Sequence, residues 1–367
     1  MALPMAFASN RDAGLAPAGP LQVELSTRLA ASKEKAAFAP MGIALVDLTG
    51  IGENAESSGA TGVPCAANAN FENQVAVGSL SKISIMFAAY ALRERVTLAC
   101  AAVGSTATDV DDMVRKVKAG WTPEVPQKIK KAPHDFPDLQ RIFDFAPSSP
   151  WTPKFHGWTR SWEQLAPLHE TPAATIKPLP FLDRLRLAIR FSDNNASGSC
   201  ARDISFQYQN GSLGAAGFDD NQHNGFLWEG GDFGFAPHDP IMGAPPWDTH
   251  RGATWVRANA RGVASYLTLL WANSLVSSSA SREMRDILID RAGIGFGTYM
   301  GNATKRTTRT WSKIGILTGS VSEGLIVETS TPSGTVIRYV AVGLSAVRSE
   351  TLQALAKIFY ETISSQH

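Results

Sequence analysis

Ser79-Leu80-Ser81-Lys82 sets a hydroxyl and an amine three positions apart, a spacing that puts both on one face of a helical stretch. A serine hydroxyl is a weak nucleophile until a base takes its proton. A lysine held out of water can serve as that base, because desolvation favours the neutral amine. The spacing alone is common. Its bland counterpart is a helix N-cap serine followed by a solvent-seeking lysine. Here Lys82 is followed by Ile83, Ile85, Met86 and Phe87, which favours a buried amine. The chemistry open to such a pair is attack on an acyl carbon, with an ester formed on Ser79.

Two further groups follow in the chain. Ser192-Asp193-Asn194 comes directly after a helical pattern and, taken alone, is an ordinary capping turn. Lys313-Ile314-Gly315 lies in the first of three strand patterns and carries no meaning as an isolated tripeptide. In this order and context the three groups resemble the S-x-x-K, S-D-N and K-T/S-G set of the penicillin-recognising serine enzymes. The chain looks like the class A β-lactamase branch of that superfamily over most of its length, outside about 105–178.

That resemblance implies roles residue by residue. Ser79 would be acylated, Lys82 would be general base or proton relay, and Ser192 would pass a proton toward the leaving nitrogen. Asn194 would bind the substrate amide and Asp193 would hold the loop. Lys313 would set positive potential over the carbonyl, and the N–H groups of Ser79 and Ile316 would form an oxyanion hole. Departures from the family pattern matter as well. Ile314 stands where a hydroxyl residue helps bind a substrate carboxylate, and Leu317–Gly324 has no arginine for the same task but does have Glu323. Poor turnover of ordinary penicillins is therefore expected, with Ile314→Thr improving it. Glu229 falls about where class A enzymes carry the glutamate that activates the deacylating water; it also reads as a surface-loop glutamate.

Other chemistries find no support. G-x-S-x-G, H-E-x-x-H and C-x-x-C are absent, and Gly293-Ile-Gly-Phe-Gly297 lacks the flanking strand and helix of a dinucleotide site. His134, His156, His169, His223, His238, His250 and His367 show no ligand spacing, so neither metal nor organic cofactor is expected. Cys65, Cys100 and Cys200 are too scattered for a disulfide framework and read as three buried thiols, a single bridge being the alternative. Lysine plus arginine number 34 against 33 acidic residues, a balance of +1 that gives no reason to expect nucleic acid as partner. No run of about 18 apolar residues is present to span a bilayer. The start, Met1 to Ser9, lacks the basic and long apolar regions of a secretory signal. The resemblance, by contrast, implies a periplasmic setting. The expected partner is a small-molecule substrate.

These residues need elements to hold them. The 367 residues, 44% apolar and 18% charged, suffice for a large core. Helical patterns cover Pro20–Ala37, Ser79–Arg95, Phe181–Arg190, Ala258–Asn273, Ser281–Arg291 and Ser349–Ile363. Strand patterns cover Ile43–Leu48, Thr310–Leu317, Leu325–Thr329 and Thr335–Gly343. Four tryptophans and repeated prolines mark 105–178 as an ordered insertion, since linkers seldom carry large aromatics. The expected architecture is α+β: one antiparallel sheet built from both ends of the chain and flanked by helices, with an all-α domain inserted. The expected boundaries are 1–78 with 292–367 for the sheet domain and 79–291 for the helical one. The expected function is a serine hydrolase of class A β-lactamase-like type cleaving an amide, lactam or ester. An acyl transferase or DD-peptidase, and a non-catalytic acylated sensor, are the alternatives.

Overall fold

The computed structural model describes residues 15, 19–51, 66–103, 106–121, 136–146, 151–157, 160–166, 172–176, 178–218, 257–289 and 309–367. The described residues form two compact units: 82–216 in one, and those before 82 and after 216 in the other.

The second unit is built on a five-stranded antiparallel sheet in the order β2-β1-β9-β8-β7. Its strands are β1 (Gly42–Asp47), β2 (Ala66–Ala69), β7 (Arg309–Leu317), β8 (Ser320–Ser330) and β9 (Val336–Ala346). Both ends of the chain contribute, as the strand patterns predict. Leu317 pairs with Ser320, so Thr318-Gly319 is a two-residue hairpin turn, and Gly319 at φ +75° supplies its left-handed backbone. One face carries Ile43, Leu45, Leu325, Val327, Tyr339 and Ala341, which cluster with Leu21 and Leu25 of helix Gly19–Ala31 and with Leu352, Leu355, Phe359 and Ile363 of helix Ser349–Ser364. The four C-terminal residues recur at three- and four-residue spacing, which makes one helical stripe. Each such buried side chain contributes about 1.5–3 kcal/mol. The opposite face meets helix Ala260–Trp271, where Trp271 lies edge-on to Trp311 at 5.4 Å.

The sheet edges differ. At β2 the Gln22 carboxamide donates to Asn68 O (3.0 Å) and accepts from Asn68 N (2.8 Å), so a side chain covers the edge as another strand would. At the other edge lies β7.

The first unit is helical. Helix Lys82–Val103 buries 15 of its side chains, in keeping with its all-round apolar sequence. Helices Phe181–Arg190 and Asn194–Ile204 are tied by an ion pair, Arg184 Nη1 to Asp203 Oδ2 at 2.7 Å, between side chains only 2% and 4% exposed. Arg184 also donates to Leu179 O (3.0 Å) and Ser199 Oγ (2.5 Å). Removing Arg184 leaves the buried Asp203 carboxylate with Arg141 Nη1 at 3.2 Å, a side chain 44% exposed. Arg184→Met is therefore expected to cost about 3 kcal/mol in denaturant unfolding, the low end for a broken buried pair, and adding Asp203→Leu should recover part of it.

Several expectations are refined. The helical pattern over Pro20–Ala37 divides into Gly19–Ala31 and Lys35–Phe38. Helices Asn194–Ile204 and Phe206–Ala215 were not legible in the sequence. The Trp/Pro-rich segment, where described, holds regular elements: helix Val110–Ala119, capped by Asp109, and a hairpin of β4 (Phe143–Ala146) and β5 (Thr152–Phe155). Its aromatics pack within the helical unit, Phe155 stacking on Phe143 (5.3 Å) and Phe181 (5.6 Å), and Trp121 lying under the Arg95 guanidinium at 3.8 Å. Helices Ala260–Trp271 and Ser278–Leu288, assigned by sequence to the helical domain, lie in the sheet unit. Val263 explains why: its Cγ1 sits 2.6 Å from where a Cβ on Gly324 of β8 would lie, so helix and sheet touch closely.

Candidate active site

Ser79 lies in a 3-10 turn, Gly78–Ser81, that runs directly into helix Lys82–Val103. The helix expected from Ser79 onward thus opens with a tighter turn. β3 (Val75–Ala76) feeds this turn and pairs with β6 (Arg257–Ala258). Leu80 is fully buried and anchors the turn, Leu80 N donates to Val77 O (3.2 Å), and Ser81 Oγ donates to Gly78 O (2.8 Å). Ser79 itself is half-buried. Gly78 has φ +51°, and a Cβ on it would stand 3.0 Å from Ile316 O and 3.1 Å from Leu317 Cγ. Conformation and space both call for glycine immediately before Ser79.

β7 meets the same turn through Gly315. A Cβ there would be 1.8 Å from Val77 O and 2.7 Å from Leu80 N, so the two backbones are in direct contact. Side chains alternate along a strand, and Lys313 shares the face of Gly315. Lys313 is 1% exposed, and its Nζ donates to Ile314 O at 3.0 Å. Ile316, just beyond, is 56% exposed. Ile314 is paired in register with Glu323, and both are buried. They project from the other face, the one that carries Leu325 and Val327. This corrects the role expected of Glu323. It does not stand at the strand entrance to repel an anion, and the Ile314 side chain is turned away from Lys313 by the same alternation. Any share of Ile314 in substrate binding would fall to its backbone.

In the helical unit Lys82 is fully buried, and its Nζ donates to Ser192 O (2.5 Å) and Asn194 Oδ1 (2.7 Å), with Ser192 Oγ at 3.5 Å. The turn that presents these oxygens is itself held. Asp193 caps the next helix, its Oδ1 accepting from Ala196 N at 2.7 Å, while Asp193 O accepts from Ser197 Oγ at 2.6 Å. The cap is thus Asp193, with Ser192 left for the lysine. Asn194 receives Lys82 yet is solvent-exposed, so one amide serves the amine and also meets solvent.

Glu229 and Cys65 lie outside the described residues, as do His134, His169, His223, His238 and His250. Among the described residues no three His, Cys, Asp or Glu side chains gather as a metal site, and no helix is long and apolar enough to cross a membrane. Cys100 and Cys200 are free and buried. Desolvation pushes their thiols up to about 11 and about 12, the latter partly opposed by the Arg184 charge. At neutral pH both are protonated and poor nucleophiles.

No protein-family model matches the sequence, and no curated protein is detectably similar to it. Solved structures are. PBP-A superposes with a TM-score of 0.51 at 15% identity, over 96% of this chain and 99% of that one. A β-lactamase from Chitinophaga pinensis does so with a TM-score of 0.51 at 11% identity, over 95% and 99%. Together with the antiparallel sheet drawn from both ends of the chain, these likenesses show that the protein has the fold of the serine β-lactamases and penicillin-binding proteins.

Proposed function

We propose that this chain is a serine hydrolase that opens an amide, lactam or ester by forming an acyl-enzyme on Ser79. The observation that carries the proposal is the burial of Lys82 with its amine on Ser192 and Asn194. A lysine is costly to bury and is rarely found so without a task. In this reading Lys82 takes the Ser79 proton, and Ser192 relays it to the leaving group. Asn194 holds the substrate amide, while Lys313 and the backbone N–H groups of Ser79 and Ile316 stabilise the oxyanion. Gly315 lets β7 reach the turn. Low turnover of ordinary penicillins now rests on the absence of an arginine between Leu317 and Gly324, not on Ile314 or Glu323. With Lys313 engaged at the oxyanion, a desolvated carboxylate has no arginine of its own there, which is costly.

Intact-mass measurement after mixing with β-lactams, activated esters and a fluorophosphonate tests the reading. One adduct per chain, mapped to Ser79, is expected. A chain that takes up none of these reagents would overturn it. Glu229 is the proposed base for deacylation. Glu229→Gln should acylate at the normal rate and then retain the adduct at least about a hundredfold longer, within the usual range for general-base loss. Unchanged turnover would remove Glu229 from the mechanism, and discharge only by added amines would favour acyl transfer.

A further inference from the structure

Ser192 combines two features that pull against each other. Its φ of +60° puts it in the left-handed region, where a Cβ is penalised and where a helix commonly ends on glycine. Phe191 N and Asp193 N both donate to Leu187 O at 3.1 Å, so the chain is pinned on either side of Ser192 at the end of helix Phe181–Arg190. In this conformation the carbonyl of Ser192 is the short contact of Lys82 Nζ, at 2.5 Å, and the hydroxyl the long one, at 3.5 Å.

We infer that the left-handed backbone of Ser192, more than its hydroxyl, positions the Lys82 amine. The inference deepens the hydrolase reading, on which its catalytic consequence rests. With φ in the ordinary helical or extended range, the peptide plane would rotate and carry the carbonyl away from Nζ. Asn194 Oδ1 would remain as the nearer acceptor. Ser192 is then a positioning residue through its backbone, apart from any proton its hydroxyl relays. Strained non-glycine backbone persists where surrounding structure over-determines it, and such positions cluster at functional sites.

Two substitutions separate backbone from hydroxyl. Ser192→Gly discards the hydroxyl and takes up φ +60° freely. Ser192→Thr keeps the hydroxyl, but its branched Cβ resists the left-handed region. The first readout is the rate at which acetic anhydride labels Lys82, followed by peptide mass; the second is acylation of Ser79 by a p-nitrophenyl ester, whose leaving group needs no proton. Ser192→Gly should label Lys82 as slowly as wild type, whatever the loss of the hydroxyl does to turnover. Ser192→Thr should speed Lys82 labelling and slow acylation, each by a few-fold, since a branched Cβ adds strain beyond what serine already bears there. If Ser192→Thr fails to fold, Ser192→Gly decides alone, because faster Lys82 labelling there is the result that only a positioning hydroxyl gives. Wild-type behaviour in the threonine variant, with exposed Lys82 in the glycine variant, would overturn the inference in favour of the hydroxyl. Lys82 labelling does not depend on turnover. A wild-type chain that never acylates would therefore sink the hydrolase reading and leave this test standing.

Discussion

Ser79→Ala is expected to abolish covalent capture of fluorophosphonates, esters and β-lactams, and Lys82→Met to slow it at least about a thousandfold, as when one member of a nucleophile–base pair is lost. Alanine has no atom to acylate, and the Cys100 and Cys200 thiols, raised by burial, offer no substitute at neutral pH. The Lys82 variant should retain the hydroxyl without its base. It should also lose some stability, about 1–3 kcal/mol, since Ser192 O and Asn194 Oδ1 would each lose a donor. Circular dichroism and thermal unfolding separate that loss from the chemistry. A folded Ser79→Ala protein that still takes up one label per chain would move the nucleophile elsewhere, and a Lys82→Met protein labelled at the wild-type rate would remove the base.

The parts of this molecule that local pattern controls are legible in its sequence. β7, β8 and β9 carry runs rich in β-branched and aromatic residues between Gly and Ser turns, and the helical pattern Phe181–Arg190 matches the observed helix. Helix Asn194–Ile204 is not legible there. Gly198 and two serines lower its propensity, and what sustains it is the Asp193 cap and the burial of Cys200, Ala201 and Ile204. The turn at Ser79 likewise gave no sign of being 3-10, because Ser-Leu-Ser-Lys fits either helix. Ser192-Asp193-Asn194, taken alone, reads as a capping turn; Asp193 is its cap, and Ser192 O receives Lys82. Glu323 was misjudged for a different reason. Sequence distance placed it near Lys313, but the pairing of Ile314 with Glu323 puts both on the far face. Register is a property of two strands, and one strand's sequence does not contain it.

Gly315→Ala is expected to be the most damaging single methyl group in the sheet unit. The added carbon would sit 1.8 Å from Val77 O and 2.7 Å from Leu80 N, and both are backbone atoms of the segment that carries Ser79. No side-chain rotation relieves such a contact, so β7 or the turn must move by more than an ångström. Overpacking of this kind costs about 3 kcal/mol. A displacement of that size at a nucleophile costs on the order of a hundredfold in rate. The two effects should appear together: a lowered unfolding midpoint, and Ser79 labelling about a hundredfold slower in protein that is still folded. Gly319→Ala separates this from a general loss of sheet stability. Gly319 has open space around it but φ +75°, so alanine there should cost about 1–2 kcal/mol with labelling unchanged. Equal labelling losses in the two variants would mean that the sheet as a whole, and not the contact of Gly315 with the turn, sets the position of Ser79. A Gly315→Ala protein with wild-type midpoint and labelling would mean that β7 does not press on the turn at all, and Lys313 would lose its claim to a place beside the nucleophile.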